Sequence, residues 1–226
     1  PVLAGVGGTA TREALAQAEL AAELGVDGLM VAAPAYVLPN PEELGRHILR
    51  VLEVADLPTV LYDYPDRTGV SFNERTLDLV AHDDRIVGIK EASGDLTRVR
   101  RLRRRYGNAV PIVSGTDGLA IRMFEMGVDS WIAGTANALP AEHVQILAAA
   151  VAGDMDTAWA THKRILPFLR CAERGRYKLP DIGSKPKVKQ TVTEESEELV
   201  MQNVVALRQP KLIDESDVSI PSKYPD

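Results

Sequence analysis

Cysteine is almost missing from this chain: Cys171 is the only one in 226 residues. An internal disulfide and a cysteine-based zinc site are thereby excluded, and a reducing, cytoplasmic setting is the expectation. No run approaches the roughly 18 consecutive apolar residues that a membrane-spanning helix requires, and no basic-then-apolar signal segment opens the chain. A positive charge excess is missing too. The net charge is -6 and the isoelectric point near 5.3, so no global field draws the chain to nucleic acid or anionic lipid, and its ligands are expected to be small. His47, His82, His143 and His162 show no paired spacing, so a metal-dependent reaction has no visible ligands. An initiator methionine is also lacking. Pro1-Val2-Leu3-Ala4-Gly5-Val6-Gly7-Gly8 reads as a buried strand entering a glycine turn, as expected of a chain that starts inside a domain.

What is present is the composition of a folded globular chain: 45% hydrophobic, 26% charged, mean hydropathy -0.09. Short apolar runs at 2–6, 28–33, 58–64, 86–91, 111–114 and 129–134 read as six strands covered on both faces. Amphipathic patterns at 11–24, 41–54, 73–81, 95–106, 117–126, 140–151 and 154–170 read as helices between and after them. Strand and helix in alternation predict an α/β fold around a parallel sheet, and the spacing suits a βα barrel. Beyond Tyr177, Pro180, Pro186, Pro210, Pro221 and Pro225 punctuate a Lys/Glu/Ser-rich stretch. Residues 178–226 are expected to be a weakly ordered appendage, with helical character only around Glu194 to Leu207.

In parallel α/β folds, functional groups gather at the C-terminal ends of the strands. The run Val87-Gly88-Ile89-Lys90-Glu91 holds a lysine inside an apolar strand, on the face shared with Gly88. Desolvation there favours the neutral amine, the nucleophile that forms a Schiff base with a carbonyl. A strand-end lysine can equally reach solvent or pair with Glu91, and spacing alone favours that second reading. The preceding strand ends Tyr62-Asp63-Tyr64-Pro65-Asp66-Arg67-Thr68-Gly69. A phenol beside an imine can carry protons, and an arginine at the mouth can hold a carboxylate, although Tyr62 could be core and Arg67 a solvated charge. The basic run Arg98, Arg100, Arg101, Arg103, Arg104 and Arg105 is interleaved with Leu96, Val99, Leu102 and Tyr106. It reads as the solvated face of a helix rather than a nucleic-acid patch. Gly5-Val6-Gly7-Gly8 lacks the rest of a dinucleotide or P-loop fingerprint.

Over residues 1–177 the sequence resembles the pyruvate-dependent class I aldolases, the family that includes dihydrodipicolinate synthase and N-acetylneuraminate lyase. The resemblance rests on Ala4-Gly5-Val6-Gly7, Pro34-Ala35-Tyr36, Leu61-Tyr62-Asp63-Tyr64-Pro65 with Arg67-Thr68-Gly69, Gly88-Ile89-Lys90-Glu91-Ala92-Ser93-Gly94-Asp95, Ser114-Gly115 and Thr135-Ala136-Asn137, in that order. It implies a TIM (β/α)8 barrel, here N-terminally truncated by two strands so that about six remain, with C-terminal helices and the irregular tail following. It further implies that Lys90 forms the imine with pyruvate and needs no cofactor, that Tyr62 transfers protons, and that Arg67 binds the acceptor's carboxylate. Gly115 and Ile132 would line the pyruvate pocket through backbone groups, and Tyr36 would reach a neighbouring subunit's site in a homo-oligomer.

Departures bear on substrate class. The family's Gly-Thr-Thr-Gly-Glu motif has no counterpart in the sequence. Ala35 stands where a second tyrosine is common, and Asp63 where asparagine is usual. The Arg-Thr-Gly turn leans toward the dihydrodipicolinate synthase branch, condensing pyruvate with aspartate semialdehyde. The alternatives are a 2-keto-3-deoxy sugar-acid aldolase or dehydratase, an N-acetylneuraminate lyase-like enzyme, or an inactive truncated homologue serving as a binding or assembly module or arising as a gene-model fragment. An open array of six strands without turnover is expected for this chain by itself.

Overall fold

The computed structural model describes residues 1–174. The boundary expected at 177 and the appendage expected over 178–226 lie outside the described residues. Five strands, β1 (Leu3–Val6), β2 (Gly28–Ala32), β3 (Thr59–Asp63), β4 (Ile86–Glu91) and β5 (Ile112–Ser114), form one sheet in chain order, every neighbouring pair parallel. Leu29, Val31, Val60, Leu61 and Ile89 are fully buried, as strands covered on both faces demand.

The crossovers are helical. They run through α1 (Thr11–Glu23), α2 (Pro41–Ala55), the short α3 (Pro65–Thr68) with α4 (Glu74–Val80), and α5 (Leu96–Tyr106); α6 (Ala120–Glu125), α7 (Pro140–Val151) and α8 (Met155–Arg174) follow β5. Side chains cap the starts of α2, α4 and α5, from Asn40, Asn73 and Asp95. Asn40 accepts from the Glu43 amide while Glu43 reaches back to the Asn40 amide, a reciprocal box ahead of Pro41. The glycine turn after β1 offers no anion site: the amides of Thr9 and Ala10 already donate to the Glu13 carboxylate.

The sixth strand expected at 129–134 is not formed. Only Trp131 bridges Ser114, through the Ser114 amide to the Ser130 carbonyl and the Ile132 amide to the Ser114 carbonyl. β5 is three residues long, and Ser114 is the one residue of it that pairs with this segment. A 3-10 turn begins at Thr135. The four-residue α3, read from sequence as part of a turn, is opened by Pro65 and stopped at Gly69, whose left-handed φ of 76° suits glycine.

A second correction concerns Arg98. The other arginines of α5 do lie at the surface, where Arg101 meets Glu74 and Arg105 meets Asp78 on α4. Arg98 is buried instead. Its Nε donates to Glu91 at 2.6 Å, its terminal nitrogen lies 2.6 Å from Asp63, and it also donates to the Phe72 carbonyl at 2.5 Å. Asp63 accepts further from the Ser71 hydroxyl and the Phe72 amide. Burial pushes the Asp63 carboxyl up, Arg98 pulling against it. Position explains the miss: Arg98 lies four residues before Leu102 and beside Val99, the inward stripe of α5.

Removing one partner of a buried ion cluster leaves the others uncompensated, at a cost of about 3–5 kcal/mol. Arg98→Ala should lower stability by about that amount in urea unfolding. Adding Asp63→Asn and Glu91→Gln to an Arg98→Met background should recover most of the loss; no recovery would mean that Arg98 acts through packing alone.

Candidate active site

Alternation along two adjacent strands decides what meets at the sheet's C-terminal edge. Parallel pairing sets Tyr62 opposite Lys90 and Asp63 opposite Glu91. Successive side chains of a strand point to opposite faces, so Tyr62 and Lys90 share one face while Asp63 and Glu91 share the other with Arg98. A register shift between Thr59 and Val60 skips Val87, which is 37% exposed rather than packed under the helices.

A cavity of about 410 Å³ opens at this edge, lined among others by Tyr62, Lys90, Gly115 and Asp117. Lys90 is 8% exposed, and its Nζ lies 4.0 Å from the centroid of the Tyr62 ring. Glu91 is engaged by Arg98 and by the Ser93 amide, so the Lys90–Glu91 pairing that the sequence left open is not made. Burial pushes the Lys90 ammonium down to about 8, with the Asp117 charge pulling it back up. Burial pushes the Tyr62 phenol up to about 12, Tyr64 and Asp117 adding to the shift and Arg67 opposing it. The site therefore presents an amine that is partly neutral near pH 8 beside a phenol that keeps its proton.

The remaining expected residues are placed unevenly. Gly115 lines the cavity, and a Cβ there would come within 2.9 Å of Lys90 Cγ, the Glu91 carbonyl and Ala92 Cβ; this close approach explains glycine at that position. The Ile132 amide is spent on Ser114, and Gly134 rather than Ile132 faces the cavity. Arg67 is exposed on α3 with its guanidinium carbon 5.8 Å from the centroid of the Tyr64 ring, and Asp66 lines the cavity instead. Tyr36 is 90% exposed at a left-handed φ of 75° and stands away from the cavity lining.

Three cavity neighbours had no role in the sequence reading. Asp117, just after Gly115, is 2% exposed. Glu173 of α8 accepts from the Gly118 amide at 2.6 Å and lines the same cavity. Thr135, part of the quoted Thr135-Ala136-Asn137 motif, binds Asp117 through both its amide and its hydroxyl. The only sequence signal was position, since Asp117 and Thr135 follow β5 and the Trp131 bridge directly. Among the described residues no group of three or more His, Cys, Asp or Glu is placed to hold a metal ion, and no helix is long and apolar enough to cross a membrane.

Parallel strands joined by helices, with a desolvated lysine beside a tyrosine at their C-terminal edge, define an α/β fold of the TIM-barrel kind with a lysine-centred site. The chain belongs to the dihydrodipicolinate synthetase family, whose model matches residues 1–175. It is 37% identical over 166 residues to a 4-hydroxy-tetrahydrodipicolinate synthase of Pelobacter propionicus, covering 74% of this chain and 57% of that one. It is likewise 37% identical over 171 residues to the Methanosarcina acetivorans synthase, covering 75% and 59%. The chain thus spans under two thirds of the length of these relatives. Among solved structures, dihydrodipicolinate synthase from Aquifex aeolicus superposes with a TM-score of 0.75 at 26% identity, covering 88% of this chain and 72% of that one. The chloride-inhibited Acinetobacter baumannii enzyme complexed with pyruvate gives 0.75 at 29% identity, with the same coverage.

Burying Lys90 has a stability consequence. The folded chain sheds this proton at about 8 and the unfolded chain near 10.5, so between those values the unfolded state binds more protons and stability rises with pH. Below 8 the whole cost is felt, offset in part by the Tyr62 ring. Lys90→Met should therefore raise stability at pH 7 by about 1–3 kcal/mol, a gain that fades between pH 8 and 10.5 and is gone above that. Equal stability at both pH values by urea unfolding would show that the ammonium is hydrated in the folded chain.

Proposed function

We propose that this chain carries the Lys90-centred chemistry of a pyruvate-dependent aldolase, most like 4-hydroxy-tetrahydrodipicolinate synthase. The observation that carries the reading is the Lys90–Tyr62 pair, held side by side by strand register at the cavity, with Lys90 buried. In this mechanism the neutral Lys90 amine attacks the keto carbon of pyruvate, forming a C–N bond. One amine proton passes to the tetrahedral oxygen, which takes a second from Tyr62 and leaves as water, so that a protonated imine remains. Loss of a proton from the pyruvyl methyl group to the Tyr62 phenolate gives an enamine. The enamine carbon then attacks an aldehyde, forming the C–C bond while the aldehyde oxygen takes up a proton. Hydrolysis of the product imine frees Lys90.

Desolvation supports the first step, because it favours the form of the amine that carries a lone pair. The raised Tyr62 phenol supports the second, since it holds the proton the leaving oxygen needs. Arg67, exposed at the mouth, is suited to an acceptor carboxylate. Asp66 and Glu173 give the cavity rim two carboxylates, which suits an acceptor that also bears an ammonium group, as aspartate semialdehyde does and a sugar acid does not. Tyr36, held out from its own cavity, suits a residue delivered to a neighbouring copy in a homo-oligomer.

Incubation of the full chain with pyruvate and borohydride should add a reduced pyruvyl mass to the peptide bearing Lys90, read by mass spectrometry. Labelling elsewhere, or none, overturns the reading. Arg67→Ala should leave pyruvate trapping within about twofold while weakening apparent acceptor affinity by tenfold or more, about 1.4 kcal/mol. Equal loss of both would make Arg67 structural.

A further inference from the structure

Beneath the cavity floor a chain of hydrogen bonds runs away from Lys90 into α7. Asp117 Oδ1 accepts from the Trp131 indole at 3.3 Å, and Oδ2 accepts from the Thr135 amide at 2.9 Å. The Thr135 hydroxyl lies 2.7 Å from Asp117 Oδ2 and 2.8 Å from His143 Nε2, and His143 Nδ1 lies 2.6 Å from the Leu139 carbonyl. Asp117, Thr135 and His143 are all buried, 2 to 4% exposed, and the Trp131 ring lies against the imidazole with centroids 4.6 Å apart.

Counting protons along the chain gives a definite answer. The Leu139 carbonyl can only accept, so His143 Nδ1 carries a hydrogen. The Thr135 hydroxyl has one hydrogen to give. If Asp117 is ionised and His143 neutral, that hydrogen serves either Oδ2 or Nε2, and the other contact sets two lone pairs against each other at 2.7 or 2.8 Å. One additional proton satisfies both contacts. Placed on Nε2, it makes an imidazolium that donates to Thr135, which donates to the carboxylate. Placed on Asp117, it makes a carboxylic acid that donates to Thr135, which donates to Nε2. A shift of two hydrogens along Thr135 interconverts the forms without change of total charge.

We propose that Asp117, Thr135 and His143 hold one shared proton beneath the cavity and so keep the Lys90 amine available as a nucleophile. A bare Asp117 carboxylate would hold Lys90 as an ammonium by simple attraction. With the shared proton, that negative charge is either neutralised at Asp117 or balanced by an imidazolium one residue away, and the hold is weakened. Among the described residues, the other ionisable groups facing this chain do not replace the proton. Tyr62 of β3 is neutral, burial lowers the pKa of His162 of α8, and Glu173 of α8 is turned to the Gly118 amide. Arg170 of α8 acts on His162. The three residues are positioning residues acting through Lys90, and their effect on imine formation rests on the aldolase reading above, whereas the shared proton does not.

The test reads the proton and the lysine separately. At pH 8 in the full chain, nitrogen NMR of His143 and carboxyl carbon NMR of Asp117 should find one of the two groups protonated; both unprotonated overturns the proposal. The titration midpoint of Lys90, followed by NMR after 13C reductive methylation and assigned with Lys90→Arg, should rise by about half a unit in Thr135→Val, leaving about threefold less neutral amine near neutral pH. Thr135→Ser, which keeps the hydroxyl, should hold the wild-type midpoint. Should Thr135→Val fail to fold, His143→Gln carries the same expectation, because its amide can donate to Thr135 without bringing a charge. An unmoved Lys90 midpoint in the folded variant overturns the proposal. Absence of a pyruvate adduct on wild-type Lys90 would instead remove the aldolase reading while leaving these two measurements to stand.

Discussion

The buried guanidinium of Arg98 is the constraint on which the site depends. Parallel register sets Asp63 beside Glu91, two carboxylates on one face of adjacent strands, with the Glu91 charge adding to the cost of ionising Asp63. Without a cation between them the strand ends would be driven apart. Arg98 supplies it from α5, with one nitrogen to each carboxylate and another contact to the Phe72 carbonyl. Planar, forked and always charged, arginine can satisfy two acceptors at once where lysine offers a single point. The same register that creates the carboxylate pair sets Tyr62 beside Lys90 on the opposite face. Holding one pair in register therefore holds the other.

The two faces differ in how their charges are treated. On the outer face every ion has a partner, and the cluster is closed. On the cavity face no carboxylate among the described residues forms an ion pair with Lys90: Glu91 is occupied by Arg98 on the other face, and Asp117 binds Thr135 and Trp131. A lysine kept from water yet denied a close counter-ion is poorly stabilised as an ammonium, and the imbalance shows in its lowered pKa. Stability is surrendered at this one position, the compromise usual at functional sites.

Legibility in the sequence followed the range of the interaction. β1 to β5 were each read to within one residue at either end, because buried parallel strands write themselves as local apolar runs. The expected strand at 129–134 shows the limit of that signal: an apolar run becomes a strand only if it forms a ladder with a neighbour, and here the pairing with β5 stops at the single Ser114–Trp131 bridge. Tyr62 and Lys90 could be paired from sequence because adjacent strands fix their order. Arg98 was lost among surface arginines because composition outweighed its place on the inward stripe with Val99 and Leu102. Asp117, Thr135 and His143 belong to three separate elements brought together only by tertiary packing, and the lack of short spacing among the histidines concealed the one that matters beneath the cavity.

Asp63 shows how a single departure from a family pattern is absorbed. An asparagine at that position would present Arg98 with a neutral amide and leave Glu91 as the only carboxylate. With aspartate the cluster carries two negative charges against one positive, and the surplus is spread over the Ser71 hydroxyl and the Phe72 amide. Those two donors come from the segment that leads out of α3, the helix carrying Arg67. The charge at position 63 therefore tethers the mouth of the cavity to the strand that bears Tyr62. The segment after Arg67 and the strand bearing Tyr62 are thus joined through one buried carboxylate.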